Sequence, residues 1–237
     1  MGQTIFITGA NRGIGLALTT ELLKAGHRVI AGARDPAKAT ELERLCKKYG
    51  AQAVMVELTV TAQKSVEAAA AHAARFTDTL DVLVNNAGVF PEEGDESIFG
   101  MDLEHFREAF ETNVLGAIRM TRAFFPLLEK GNQPRIVNIS SGAGSVTAKE
   151  DYGYYAYATS KAALNMLTRS LAAEFRPQGI CVVAMTPGWV KTAMGGSNAP
   201  LTAEESAQAI AKTITTLKMD KTSHFIDRTG ADVKYGW

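Results

Sequence analysis

The chain of 237 residues has only two cysteines, no surplus of basic residues and no long apolar run. Cys46 and Cys181 lie far apart without a CxxC pair, which argues against a disulfide framework or structural zinc site and favours a reducing compartment. The 25 Lys and Arg residues balance the 25 Asp and Glu residues, whereas nucleic-acid and membrane-surface binders usually need a basic excess. No apolar run approaches the ~18–20 residues of a membrane span. We therefore expect a cytoplasmic protein with neither a nucleic-acid nor a membrane partner.

Several motifs of well-known chemistry are also missing. The four histidines are scattered without metal-ligand spacing, and neither His-Glu-x-x-His nor Gly-x-Ser-x-Gly occurs. No metal site is therefore expected, and hydrolase and metalloenzyme functions have little support. No basic head or cleavage site accompanies the first apolar run, so a signal peptide is not expected.

Short apolar, β-branched runs alternate with longer helical patterns along the chain. The expected strands are 4–8, 28–31, 53–58, 81–85, 135–140, 180–185 and 224–226. The expected helices are 14–24, 37–48, 63–76, 103–129, 157–175 and 203–217. This alternation predicts an α/β fold, a doubly wound sheet of about seven parallel strands with helices on both faces.

The chain shows no repeat and no long linker, so residues 1–237 are predicted to form a single domain. Three irregular stretches, at about 90–100, 142–153 and 191–201, follow strands at their carboxyl ends. Open α/β sheets bind ligands at that edge. These stretches are therefore the expected substrate loops.

A glycine-rich turn joins the first strand to the first helix and reads Thr8-Gly-Ala-Asn-Arg-Gly-Ile-Gly15. Gly9 can take a tight turn, Gly13 lets backbone approach a pyrophosphate, and Gly15 lets the helix pack closely on the strand. The helix N-terminus then offers free N–H groups and partial positive charge to an anion. The preceding strand and following helix favour a dinucleotide site over an ordinary β–α loop.

Tyr157 and Lys161 lie four residues apart on a predicted helix, so their side chains share one face. A nearby ammonium lowers the pKa of a phenol, which would tune Tyr157 as an acid or base. A Tyr-x-x-x-Lys pair can arise by chance in a chain of this composition, so the pair is informative mainly because it follows Asn85-Asn86-Ala87-Gly88 and Ser141 in the chain. The neighbouring tyrosines 152, 154 and 155 have no Lys at i+4 and are expected to line the substrate mouth or to pack.

These motifs together resemble the short-chain dehydrogenase/reductase family. The first turn has the family spacing Thr-Gly-x-x-x-Gly-x-Gly, and further matches follow in order over nearly the whole chain. They are Asn85-Asn86-Ala87-Gly88, Asn113 in Asn-Val-Leu-Gly116, Ser140-Ser141, Tyr157-Ala-Thr-Ser-Lys161 and Pro187-Gly-Trp-Val-Lys-Thr192. The chain is most similar to the small carbonyl-reductase and C-factor-like members. The resemblance implies a Rossmann-type NAD(P)-binding domain and an oxidoreductase acting on CH–OH or C=O groups.

The resemblance assigns catalytic roles to Asn113, Ser141, Tyr157 and Lys161. Tyr157 would donate the proton, Ser141 would steady the substrate oxygen, and Lys161 would lower the tyrosine pKa and hold the nicotinamide ribose. Asn113 would support a water chain to the lysine. The separation of 16 residues between Ser141 and Tyr157 is longer than usual in the family, which leaves Ser145 as an alternative to Ser141.

NADP is the favoured cofactor, with NAD as the alternative. The second strand is expected to end near Ala33, where an acidic residue would hold the ribose of NAD, and Arg34 follows directly. Arg12 is a second cation within reach, whereas Asp35 would select NAD if the register slipped by two. The expected cofactor-binding residues are Gly9, Asn11, Arg12, Gly13, Ile14, Gly15, Arg34, Glu57, Leu58, Asn86, Ala87, Gly88, Tyr157, Lys161, Pro187, Gly188, Val190 and Thr192.

The leading expectation for function is NADPH-dependent reduction of a small hydrophobic ketone or aldehyde. The alternatives are an NAD-dependent alcohol dehydrogenase of the same family and a C-factor-like signalling protein that binds NAD(P). The expected substrate residues are Phe90, Ala143, Tyr152, Trp189 and Met194, and 191–201 is a candidate lid. The resemblance also implies a homodimer or homotetramer built on the long helices after the fourth and fifth strands.

Overall fold

The computed structural model describes residues 2–92 and 97–237. Its seven parallel strands form one sheet in the order β3-β2-β1-β4-β5-β6-β7. The strands are β1 Thr4–Thr8, β2 Arg28–Ala33, β3 Ala53–Glu57, β4 Val82–Asn85, β5 Arg135–Ile139, β6 Cys181–Thr186 and β7 Phe225–Asp227. The α-helices are α1 Gly13–Lys24, α2 Thr40–Tyr49, α3 Gln63–Ala73, α4 Leu103–Phe110, α5 Gly116–Leu128, α6 Tyr155–Phe175 and α7 Ala203–Thr216. The predicted doubly wound parallel sheet is confirmed.

Two apolar layers cover the sheet, one on each face. Ile5 and Ile7 of β1 face a layer that α1, α2 and α7 complete, whereas Phe6 between them faces α3, α5 and α6. The Phe6 and Phe124 rings lie 4.3 Å apart between centroids in the second layer. Because helices cover both faces, β4 and β6 are buried at every position, as the apolar runs Val82–Val84 and Cys181–Ala184 within them indicate.

Three helix ends are explained by the residues found there. Gly26 and Gly50, with φ of +82° and +55°, end α1 and α2 in a backbone region that glycine adopts without a Cβ clash. Thr202 caps α7 through a capping box, in which its side chain accepts from the Glu205 N–H and the Glu205 carboxylate accepts from Thr202.

Two predicted helices are wrong in detail. The second does not begin at Ala37, because Pro36–Lys38 forms a separate 3₁₀ turn and α2 starts only at Thr40. The helix expected over 103–129 is divided by a π-helical turn, Glu111–Leu115, between α4 and α5. A π-helical turn inserts one residue into the helical register, and hydrophobic periodicity does not reveal one extra residue.

The strand order reverses between β1 and β4, and the crevice at their carboxyl ends is where such sheets bind ligands. The loops at 142–153 and 191–201 follow β5 and β6 at this edge, as predicted. The third expected loop falls partly outside the described residues, since 93–96 are not among them. In the part of the chain that the structure describes, no helix is long and apolar enough to cross a membrane, and no group of His, Cys, Asp and Glu could hold a metal ion.

Candidate active site

Tyr157 lies in the first turn of α6, with its phenol against Ser141. The Ser141 side chain hydrogen-bonds the phenol, and its hydroxyl also accepts from the Ala143 N–H at 3.2 Å. Phe90 packs edge-on against the Tyr157 ring, with 4.9 Å between centroids. The phenol is therefore held by one polar and one aromatic neighbour.

The structure separates the two candidate serines. Ser145 is 2% exposed, and its hydroxyl contacts the main-chain carbonyl oxygens of Tyr235 and Trp237 at 3.3 and 3.2 Å. The same hydroxyl accepts from the Ala148 N–H at 3.1 Å. Ser145 thus ties its loop to the segment around residue 235, while Ser141 lies at the phenol.

Burial raises the pKa of the Tyr157 phenol above its usual value, and the hydrogen bond to Ser141 offsets this only in part. This direction is opposite to the lowering of the Tyr157 pKa that is predicted from the sequence because of Lys161. The Lys161 ammonium lies 5.7 Å from the centroid of the Tyr157 ring, so it faces the ring rather than pairing directly with the hydroxyl. A phenol in this setting is protonated at neutral pH.

Lys161 is 5% exposed and lies one turn beyond Tyr157 on α6. Its Nζ donates to the carbonyl oxygen of Ile139 at 2.8 Å. Burial lowers the pKa of Lys161 to about 8, because an ammonium away from water loses hydration that a single carbonyl does not replace.

Asn113 lies in the π-helical turn and connects three elements of the site. Its amide exchanges two hydrogen bonds with the main chain of Val89, accepting at 2.9 Å and donating at 3.1 Å, and it donates to the Ser160 hydroxyl at 2.9 Å. A Cβ on Gly88 would stand 3.2 Å from Asn113 Oδ1 and 3.6 Å from Lys161 Nζ. Gly88 therefore leaves the space into which both polar groups point.

The glycine turn has the geometry that a dinucleotide site requires. Gly9 and Gly13 take φ of +64° and +51°, where glycine is favoured, and a Cβ on Gly15 would stand 2.2 Å from the Gly9 carbonyl oxygen. The close contact at Gly15 is therefore with the turn itself and with the Asn86 side chain, whereas the sequence predicted a contact between the helix and the strand. The Arg12 side chain does not cap α1, so the first N–H groups of this helix have no side-chain cap.

The segment after β4 is joined to the glycine turn by hydrogen bonds. Thr8 Oγ1 accepts from the N–H groups of Asn86 and Ala87 at 2.9 and 2.8 Å, and the Asn86 side chain donates to the carbonyl of Thr8 at 2.8 Å. Thr192, from the loop after β6, lies above the turn, with Cγ2 3.4 Å from the position of a Cβ on Gly13. The segment after β4 and Thr192 therefore both lie against the glycine turn, at the start of α1, where uncapped N–H groups are the kind of donor that binds a pyrophosphate.

The end of β2 carries the residues that would distinguish two related dinucleotides. β2 ends at Ala33, which pairs in register with Glu57, and the exposed Arg34 follows directly. Asp35 forms an ion pair with Lys38 at 3.0 Å, and that hydrogen bond lowers the pKa of Asp35. The register is the one predicted, and Asp35 is paired with Lys38 instead of standing at the strand end.

Residues 3–203 match the model of the short chain dehydrogenase family. This chain belongs to the short-chain dehydrogenase family. It is 39% identical over 160 residues to C-signal of Myxococcus xanthus, covering 67% of this chain and 95% of that protein. Carbonyl reductase Sniffer of D. melanogaster is 34% identical with a TM-score of 0.94, and both chains are covered completely. An NADPH-bound carbonyl reductase from chicken fatty liver is 36% identical with a TM-score of 0.91 over 100% and 99% of the two chains.

The short-chain dehydrogenase assignment makes the protein an NAD(P)-dependent oxidoreductase, as the sequence motifs predict. Four more of the expected cofactor residues follow β3 and β6 at the carboxyl ends of these strands. Leu58 is buried and donates its N–H to the Ala33 carbonyl at 2.8 Å, and Val190 is 4% exposed and bridges to Leu201. The carbonyl of Pro187 accepts from Ser206 at 2.7 Å, and Gly188 takes a φ of +83°.

The expected substrate residues of this dehydrogenase fall into two groups. Phe90 and Ala143 contact Tyr157 and Ser141 respectively. Tyr152, Trp189 and Met194 are exposed by 67%, 58% and 47%, on loops at the same edge. The Trp189 indole donates to the Gly195 carbonyl at 2.8 Å, so the candidate lid at 191–201 is hydrogen-bonded to the residue pair that precedes it.

Glu92 is not among the residues predicted from the sequence, and the structure places its carboxylate at the start of α6. Its carboxylate accepts from the N–H groups of Ala156 and Tyr157. The only sequence signal is a carboxylate four residues after Gly88. That signal is weak because Glu93, Asp95 and Glu96 follow directly and are also acidic.

Proposed function

We propose that the protein reduces the carbonyl group of a small hydrophobic ketone or aldehyde with NADPH, and that Tyr157 donates the proton. The observation that carries this proposal is the meeting of the Tyr157 phenol, the Ser141 hydroxyl and the buried Lys161 ammonium beside the glycine turn. The similarity to two carbonyl reductases, over the whole chain, supports the substrate class.

NADPH is the proposed cofactor because the chain offers two cations where its 2′-phosphate would lie. Arg34 follows β2 directly and is exposed, Arg12 lies in the glycine turn, and Asp35 is engaged by Lys38. The chicken carbonyl reductase is bound to NADPH, which supports the same choice here. The uncapped N–H groups of α1 would hold the pyrophosphate, and Lys161 and Thr192 would contact the nicotinamide end.

Bound NADPH would supply a hydride to the carbonyl carbon of the substrate. The Tyr157 phenol donates its proton to the carbonyl oxygen, and the Ser141 hydroxyl donates a hydrogen bond to that oxygen as negative charge develops there. The raised pKa of Tyr157 keeps the phenol protonated, which is the form that reduction requires. The Lys161 ammonium faces the ring and favours the phenolate left after the transfer. Asn113 hydrogen-bonds the main chain of Val89 and the Ser160 hydroxyl, and so fixes the position of the residue that precedes Lys161 in α6.

A titration of the purified protein with NADPH and NADH, followed by nucleotide fluorescence, tests the cofactor choice. We expect NADPH to bind at least about tenfold more tightly than NADH. Arg34→Ala should weaken NADPH binding about tenfold, since a hydrogen bond between charged groups contributes roughly 1.5–3 kcal/mol. NADH affinity should stay constant. Arg44→Ala, which removes an exposed arginine of α2, is the matched control. Tighter binding of NADH would point to alcohol oxidation instead, and binding of neither nucleotide would remove the basis of every role assigned above.

A panel of apolar ketones and aldehydes tests the reaction itself. Turnover with NADPH is the expected result. The similarity to the protein named C-signal makes a signalling role that uses a bound dinucleotide the second candidate. NADPH binding without turnover of any carbonyl compound would favour that candidate.

The proposal includes a homodimer or homotetramer in the cytoplasm. Exposed apolar side chains on α4, the π-helical turn and α6 support an assembly on these helices: Leu103 is 65% exposed, Leu115 40% and Met166 66%. Sedimentation of the purified chain would give the mass of the particle, and a monomer at all concentrations would refute this part.

A further inference from the structure

The helix that carries Tyr157 begins without a cap of its own. Its N-cap residue, Tyr154, has a left-handed backbone with φ of 51°, and its side chain makes no capping hydrogen bond. The first N–H groups of any α-helix lack an acceptor within the helix. In α6 two of these donors belong to Ala156 and to Tyr157 itself.

The carboxylate of Glu92 supplies both acceptors from a different part of the chain. Oε1 accepts from the Ala156 N–H at 2.7 Å, and Oε2 accepts from the Tyr157 N–H at 2.9 Å. Glu92 is 5% exposed, so these are charge-assisted bonds in a region of low water content. The negative charge also lies at the positive end of the α6 dipole, which compensates part of the cost of its burial.

The capping of two other helices differs from that of α6. Asp102 caps α4 and Thr202 caps α7 from the residue next to each helix, and both side chains bond at the exposed surface. Neither helix begins with a proposed catalytic side chain. Glu92 comes from 64 residues away, and burying a carboxylate to make an ordinary helix cap has no energetic advantage over a local Ser or Asp.

The segment that brings Glu92 to α6 is attached to the rest of the site at three earlier points. Asn86 bonds to Thr8 of the glycine turn, Val89 exchanges two hydrogen bonds with Asn113, and Phe90 packs on the Tyr157 ring. Segment 86–92 therefore joins the proposed cofactor crevice to the backbone of the proposed proton donor. Its last contact is the Glu92 carboxylate.

We propose that Glu92 is a positioning residue for Tyr157: it fixes the first turn of α6 so that the phenol stays between Ser141 and Lys161. The inference rests on the proposed function, because the consequence of positioning is read in carbonyl reduction. Glu92 holds the backbone N–H of Tyr157, so a shift of that turn moves the phenol relative to Ser141 of another loop. Small displacements of a reacting group lower a rate far more than they lower binding.

Four full-length proteins test the proposal: wild type, Glu92→Gln, Glu92→Ala and Glu205→Gln. Glutamine keeps the size of the side chain but presents one acceptor oxygen to two N–H groups. Glu205 is the matched control, since its carboxylate also accepts a backbone N–H at a helix start, at 2.8 Å from Thr202, but on α7. We would measure kcat, the KM and Kd for NADPH, and hydrogen exchange of the Ala156 and Tyr157 amides without nucleotide.

We expect kcat to fall about tenfold in Glu92→Gln and further in Glu92→Ala, with NADPH affinity within about twofold of wild type. Exchange of the two amides should accelerate at least about tenfold in both variants, and Glu205→Gln should change neither kcat nor exchange at these positions. Unchanged exchange, or unchanged kcat with accelerated exchange, would overturn the proposal. A parallel loss of NADPH binding and kcat would overturn it too, because it would show a general structural role.

Failure of the proposed function would look different. Wild-type protein that reduces no carbonyl compound would refute the proposed reaction, while the exchange comparison would still show whether Glu92 fixes the first turn of α6. If Glu92→Ala does not fold, Glu92→Gln alone decides both readouts, since it conserves volume.

Discussion

The two sides of the crevice differ in whether backbone or side chains form their surface. On the side of β1 to β3, backbone forms the surface: glycines with positive φ, free N–H groups at the start of α1, and a helix in contact with its own turn. On the side of β4 to β6, side chains form it, and they come from four separate segments around Tyr157. The first side therefore requires glycines, which have no Cβ atom, and the second requires polar side chains held at defined positions.

This difference predicts that the two sides fail separately. A Cβ added to the first side should remove nucleotide binding and leave the phenol in place. An oxygen removed from the second side should stop the reaction and leave nucleotide binding intact.

Tyr157→Phe should lower kcat about 10³-fold and leave the Kd for NADPH within about twofold, because general-acid catalysis contributes roughly 10²–10⁴-fold. Gly15→Ala should do the reverse and abolish tight NADPH binding, since its Cβ would stand 2.2 Å from the Gly9 carbonyl oxygen. Fluorescence titration and steady-state kinetics on both variants check the pair, with circular dichroism to confirm that each is folded. Loss of nucleotide binding in Tyr157→Phe would mean that this tyrosine is structural.

Lys161 should make the stability of the nucleotide-free protein depend on pH. Its pKa falls from 10.5 to about 8 on folding, which corresponds to about 3 kcal/mol. The unfolded chain holds this proton between those two pH values and the folded protein does not, so the stability of wild type relative to Lys161→Met should rise by about 3 kcal/mol from about pH 7.5 to 10.5. Urea denaturation of both proteins at the two pH values measures the difference. A constant difference would show that Lys161 is as solvated as an unfolded lysine.

Ser141→Ala should lower kcat/KM about 10²-fold, as expected for loss of one donor to a developing oxyanion, with little change in thermal stability. Ser145→Ala should cost about 1–2 kcal/mol of stability and little activity, because buried polar groups lose their partner. Kinetics and thermal melts of the two variants side by side measure both effects. The reverse outcome would move the role at the substrate oxygen to Ser145.

Much of the fold follows from the one-dimensional pattern. Val82–Val84 and Cys181–Ala184 are apolar at every position, and only strands covered on both faces tolerate that. The glycine turn was predictable because a positive φ and a close contact each restrict a position to glycine. The π-helical turn was not, since Asn113 could equally sit in a regular helix with the same residues around it.

The site was only partly predictable. Motif spacing selected Tyr157, Lys161 and Asn113, but left Ser141 and Ser145 open, because loop geometry decides which hydroxyl reaches the phenol. The sequence predicted a lowered pKa for Tyr157, and this direction of the shift was wrong. A lysine four residues away suggests a charge contact, whereas burial of the phenol dominates in the folded chain.

Local chemistry, which the sequence alone determines, includes the strand and helix periodicity, the glycines that the first turn requires and the Tyr-x-x-x-Lys pair on one helical face. Each of these depends on residues within a few positions of one another. The tertiary structure alone decided that Glu92 meets the start of α6 and that Ser141, rather than Ser145, lies at the phenol. The physical reason is that burial and electrostatics depend on which distant segments meet, and only the packed sheet and its loops bring those segments together.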